Sequence, residues 1–234
     1  MRDTLRQMVG IRAANRINAY LYYLKRLPLV GKRIPDRLYG AIRAKQALTV
    51  AATLFHLLSS WVGKALYVVL FILVPAYYLT QGQPDGAWLR ASTHLLIVLS
   101  FGVGGLRQST LLENSQDKYL CVKLLHMDAR RYHLGALLNH QATDAWGFLP
   151  AVLIGWMAMG ASWQQALGLY VGMMAWRTAM EAVHLWLYDH TGRLFFKCGA
   201  LIIPAILLGW VGAYLPVMLG SSLPLAGLLR HLWL

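Results

Sequence analysis

The chain has 234 residues, of which 58% are apolar and 13% charged, with a formal net charge of +13 and a mean hydropathy of +0.47. A charged share about half that of an ordinary globular domain excludes a soluble fold. Setting the long apolar runs aside leaves no folded basic domain, so nucleic acid is not an expected partner despite the basicity.

Apolar runs of close to twenty residues recur, each long enough to cross a hydrocarbon core of roughly 30 Å. Within lipid the backbone must satisfy its own hydrogen bonds, which leaves helices or a closed barrel. The runs are continuous rather than alternating, so the expected fold is all-α: a polytopic membrane protein of about six transmembrane helices, preceded by an amphipathic cytoplasmic interfacial segment.

Residues 1–47 carry eleven Lys and Arg. They lack the short apolar core and small-residue site of a cleavable signal peptide, and none is expected there. Within them Lys25-Arg26-Leu27-Pro28 is followed by Lys32-Arg33-Ile34-Pro35, a basic phrase stated twice. Pro28 and Pro35 lack amide donors and bias their predecessors away from helix, which makes the phrase a bent connector. Lys25, Arg26, Lys32 and Arg33 are expected along the inner membrane face, where each gains about 1 kcal/mol beside anionic lipid. The alternative is that they only fix topology.

Residues 38–60 read as a further helix, amphipathic and then apolar. The spans then follow at about 61–80, 88–106, 143–161, 165–188, 198–215 and 216–234. The two-part division is a basic interfacial segment, 1–60, and a transmembrane domain, 61–234. Lys and Arg are concentrated in alternate connections: five in 107–142 and two in 189–197, against almost none on the other side. The asymmetry orients the N-terminus toward the cytoplasm.

The stretches YYLKRLPLVGKRIPDRLY, QDKYLCVKLLHMDARRYHLGALL and RTAMEAVHLWLYDHTGRLFFK resemble bacterial ABC exporter permeases, in particular their N-terminal half, where an interfacial elbow precedes the first span. The resemblance implies a permease subunit in a bacterial inner membrane that exports a cargo. It also implies a nucleotide-binding ATPase subunit and a second permease copy or half as partners. In this reading 107–142 is a coupling segment that docks on the ATPase through Lys123, His126, Asp128, Arg130, Arg131 and His133.

Read from the residues alone, 107–142 is an imperfect helical pattern, expected as two helices broken around the MDARR segment. Lys123, His126, Arg130 and His133 share a face only if the helix is continuous; otherwise they belong to a solvated loop. His126, His133 and His140 sit seven apart, but no carboxylate or cysteine completes a ligand set and two cations lie among them, so no metal is expected. Cys121 and Cys198 read as unpaired thiols. No G-x-x-x-x-G-K-[ST] occurs: Gly31-Lys32 is followed by Arg33, and Gly63-Lys64 by Ala65. ATP hydrolysis therefore falls to a partner, and no catalytic residue or cofactor is assigned.

Arg177, Glu181 and His184 lie inside the fourth span at spacings that put them on one helical face. Intramembrane charge costs some 2.5–3.5 kcal/mol on insertion scales, so such residues find partners. They form either a polar track serving transport or an internal strut, with Arg177 and Glu181 placed to pair directly. The alternative function is an integral membrane enzyme acting on a lipid or isoprenoid-linked substrate, with Glu181 or His184 as base and Arg177 on a phosphate.

Overall fold

The computed structural model describes residues 42–220 apart from 82, 84–85, 108 and 113–117, together with scattered helical positions between Gly10 and Arg26. The described residues are helical with no strand. By contacts the chain divides into two compact units, residues 1–60 with 114–139 and residues 61–113 with 140–234.

The helices are α1 (Ile42–Val68), α2 (Val74–Leu79), α3 (Ala87–Leu96), α4 (Gly104–Arg107), α5 (Ala129–Ala158), α6 (Trp163–Thr191) and α7 (Gly199–Met218). Single π-helical stretches, Val69–Leu73 and Ile97–Val103, join α1 to α2 and α3 to α4 without a break. One helix therefore runs through the expected boundary between an interfacial segment ending at 60 and a span starting at 61, while the division of the chain by contacts falls between Ser60 and Trp61. No Gly or Pro interrupts 42–62, so the helix runs through.

In the first unit, Cys121, Tyr132 and Ala136 form a small core against Val122 and Met127. The expected break is present. A π-helical stretch, Tyr119–Leu124, ends at Leu125, and α5 starts at Ala129. His126 between them has φ of 51°, a left-handed conformation that costs a non-glycine residue energy and ends any helix. Cys121 is buried and Cys198 exposed.

The second unit holds the main core, and each helix contributes at helical spacing. Val68, Ile72 and Ala76 come from α1–α2, Leu95 and Leu99 from α3 and its continuation. Phe148, Val152 and Trp156 come from α5, Ala166, Leu169 and Met173 from α6, and Ala213 and Val217 from α7. Small residues permit the close crossings. A Cβ on Gly209 would run into Val103, and one on Gly105 would come within 2.9 Å of Met180 Cγ. Ser162 and Gln165 close a reciprocal capping box at the start of α6, and Gly192 at φ 67° ends it.

Two prolines explain otherwise odd cross-helix bonds. Pro75 has no N–H for Phe71 O, one turn earlier, and the Tyr214 hydroxyl of α7 donates to that oxygen at 2.7 Å. Pro216 has none for Gly212 O, and His94 Nε2 of α3 lies 3.1 Å from it. The carbonyl can only accept, so His94 carries its proton on Nε2.

Three helices among the described residues are long and apolar enough to cross a bilayer: Val50–Leu79, Ala87–Arg107 and Gly199–Met218, with mean hydropathies of 2.0, 1.4 and 2.0. The middle one is packed on half its apolar stretch; the outer two expose nearly all of theirs, as lipid-facing helices do. The stretches expected as the third and fourth spans lie on α5 and α6, which carry charges within their apolar runs and are not among the three. The fifth span continues past its expected end at 215, because α7 runs on through Pro216 to Met218. Most of the expected sixth span lies outside the described residues.

A buried charge cluster as the candidate functional site

The most buried carboxylate of the second unit meets two cations between three helices. Asp144 on α5 is 4% exposed. Its Oδ1 accepts from Lys64 Nζ on α1 at 3.0 Å, and its Oδ2 lies 2.7 Å from Arg177 Nη1 on α6. His140 Nε2, one turn before Asp144 on α5, stands 3.3 Å from Oδ2. Phe148, one turn after it, offers its ring to Lys64 Nζ at 4.4 Å and to the Arg177 guanidinium at 5.9 Å. His140 precedes the apolar stretch 143–161. Burial favours the neutral ring and pushes its imidazole below the usual value, against the opposing pull of Asp144.

Helix arithmetic gives the depth. The Trp156 indole donates to Thr93 Oγ1 at 2.9 Å, which puts the α5–α6 turn and the α2–α3 turn at one end of the unit. Lys64, Asp144 and Arg177 each lie about 21–22 Å along their helices from that end, at 1.5 Å per residue. The three charges thus form one layer across the unit, at a single distance from that end. They come from helices distant in sequence, so each charge is matched by a partner that its own helix does not supply.

Glu181 is held differently. Its carboxylate accepts from the Ser109 hydroxyl at 2.7 Å, the Thr110 amide at 2.7 Å and the Leu111 amide at 3.4 Å. α4 ends at Arg107, and the buried carboxylate collects the donors of the turn that follows. His184, 4% exposed, lies with Nε2 3.0 Å from Gly105 O and its ring 5.6 Å from that of Phe196. Arg177, Glu181 and His184 do face the protein. The direct Arg177–Glu181 pair does not form, because Asp144 takes the guanidinium and the 109–111 turn takes the carboxylate.

Lys64, His140, Asp144, Ser109 and Thr110 were missed by reading the sequence. Lys64 looks like the charged end of a span and Asp144 like the polar start of another. The signal was available: both are charges inside apolar runs, as Arg177 is.

In the first unit Lys123, His126, Asp128, Arg130 and Arg131 are exposed, and His133 is half-buried. The break at His126 separates Lys123 from the rest, so the six share no continuous helical face. Asp128 accepts the Arg130 amide at 3.1 Å and lies 3.6 Å from Arg131 Nε. Burial and then Lys118 lower the His133 pKa. Arg26 stacks over the Tyr22 ring at 4.5 Å; Lys25 is half-buried. Lys32 and Arg33 lie outside the described residues. Among the described residues no three His, Cys, Asp or Glu side chains gather as a metal site.

The helices and the charge layer together mark an all-helical membrane protein with an internal ion network. No family model, curated protein or solved structure matches the chain.

Proposed function

We propose that this chain is the transmembrane permease subunit of an ATP-driven exporter of the ABC type, with a separate subunit hydrolysing ATP. It would sit in a bacterial cytoplasmic membrane with its N-terminus inside, working with a second permease copy or half. The observation that carries this reading is the Lys64–Asp144–Arg177 network within a membrane-embedded bundle. An inert anchor has no use for charges that cost some 2.5–3.5 kcal/mol each to insert. Ion pairs that tie three helices at one depth are joints that can be broken and remade as a bundle opens. The resemblance of the basic repeat and of the 116–138 stretch supplies the class of transporter, and exposed Lys123, Arg130 and Arg131 supply a surface for the ATPase.

The test is purification of the tagged chain from native membranes in mild detergent. An ATPase subunit should accompany it, and the Arg130→Glu/Arg131→Glu variant should lose that subunit while keeping its melting temperature. Absence of any ATPase, or its unchanged retention by the variant, would overturn the proposal.

A further inference from the structure

At the end of the second unit opposite the charge layer, an open cavity of about 60 Å³ lies between the start of α3, the end of α5 and the start of α6. Its walls include Leu89, Arg90, Thr93, Trp156, Gln165 and Leu169. We propose that it binds a small amphipathic anion, a short apolar tail under a carboxylate or phosphate. The proposal is independent of the transport reading.

The chemistry follows from which polar groups on the wall are already committed. The Trp156 N–H is given to Thr93 Oγ1, and the Thr93 hydroxyl is given to Leu89 O at 2.8 Å. Gln165 Oε1 accepts the Ser162 amide at 3.1 Å. An amide proton fixes that atom as oxygen, so the Gln165 NH₂ remains. Arg90 is exposed, and no carboxylate among the described residues pairs with it. The first turn of α3 holds no acidic residue and no side-chain cap to offset the charge. The protons that remain to be given are those of the Gln165 NH₂ and of the Arg90 guanidinium, which is permanently cationic and outweighs the single spare lone pairs left on Gln165 Oε1 and Thr93 Oγ1. The matching ligand is an acceptor with negative charge.

The rest of the wall is Leu89, Leu169 and the Trp156 ring, which favours an apolar tail. At about 10–15 Å³ per water-sized position, the cavity holds about four to six heavy atoms. That suits a six-carbon chain whose head stays at the Arg90 rim. The same head chemistry belongs to a phospholipid and to a soluble amphiphilic acid.

The experiment uses the full chain in a neutral maltoside detergent and measures affinity from the ligand-dependent shift of the unfolding midpoint. Hexanoate and hexyl phosphate should bind saturably, and hexylammonium at least tenfold more weakly. Because Arg90 is exposed, Arg90→Gln should fold. It should weaken both anions at least tenfold and leave hexanol unchanged, the loss of a charge-assisted bond being worth about 10–100-fold. Leu169→Trp, which fills the cavity, should abolish all binding. Repeating hexanoate binding in nanodiscs separates the sources. Loss only in phosphatidylglycerol discs, compared with phosphatidylcholine, identifies a lipid occupant; retention in both identifies a soluble amphiphile. Equal affinity for hexanoate and hexylammonium, an unaffected Arg90→Gln variant, or no saturable binding of either anion overturns the proposal.

Discussion

Asp144→Asn tests the charge layer most directly, because one carboxylate holds both cations. The side chain is 6% exposed, and its loss of charge strands Lys64 and Arg177, whose side chains are 28% and 19% exposed. Breaking a fully buried pair typically costs 3–5 kcal/mol. Here both cations keep some access to water or headgroups along their flexible stems, which lowers the figure to about 2–3 kcal/mol. For a chain of this size that is a fall of about 4–12 °C in melting temperature. Arg177→Met removes one of the two cations on Asp144 and leaves it with Lys64, so its loss should be about half as large. The double variant should lose less than the sum of the two, with a coupling of about 0.5–3 kcal/mol. Arg177→Met combined with Glu181→Gln should couple less, because Glu181 is bound to Ser109 and Thr110. The assay is thermal unfolding of purified protein in one detergent. An Asp144→Asn variant melting within about 1 °C of the parent would refute the reasoning. So would a coupling of Arg177 to Glu181 that exceeds its coupling to Asp144.

Tyr214→Phe deletes the donor to Phe71 O, an oxygen with no water nearby in lipid, and should cost about 1–3 kcal/mol in the same assay. His133 has a folded pKa lowered by burial first and Lys118 second, so the unfolded chain binds more protons as pH falls. Stability should therefore be highest above about pH 6.5 and drop as pH falls through that value toward the lowered folded one; His133→Gln should flatten that slope in melting curves from pH 5 to 7.5. For orientation, cysteines introduced at Asp85 and Ser162 should react with an impermeant maleimide on intact cells, and one at Gln116 should not; labelling of position 116 would reverse the topology.

Hydropathy and period made the helices legible, together with the break near residue 126 and the inward face carrying Arg177, Glu181 and His184. Their partners were not legible. Lys64, Asp144 and Arg177 are far apart in sequence, and no periodicity within one helix reports a contact with another. The Arg177–Glu181 expectation failed for a related reason. Spacing of four makes a pair possible, but each member met a partner better placed, a carboxylate on α5 and a turn rich in amides. At residue 60 the contacts divide where the sequence suggested, but one helix continues through because no Gly or Pro breaks the backbone there. Thr93, Trp156 and Gln165 gave no sign of a cavity, since each is an ordinary residue whose meaning comes from which of its polar atoms is already used.

The proline-orphaned carbonyls bear on how the chain is assembled in time. Phe71 O, in the first apolar helix, obtains its donor from Tyr214, synthesised 143 residues later. Gly212 O, in the last described helix, is met by His94, made 118 residues earlier. Until α7 enters, Phe71 O lacks the Tyr214 hydroxyl, a donor that lipid cannot replace. A nascent chain lacking residues 199–218 is therefore missing a cross-helix bond to one of its early apolar helices. Docking of α7 makes both bonds in one step, so the late helix completes contacts with helices synthesised long before it.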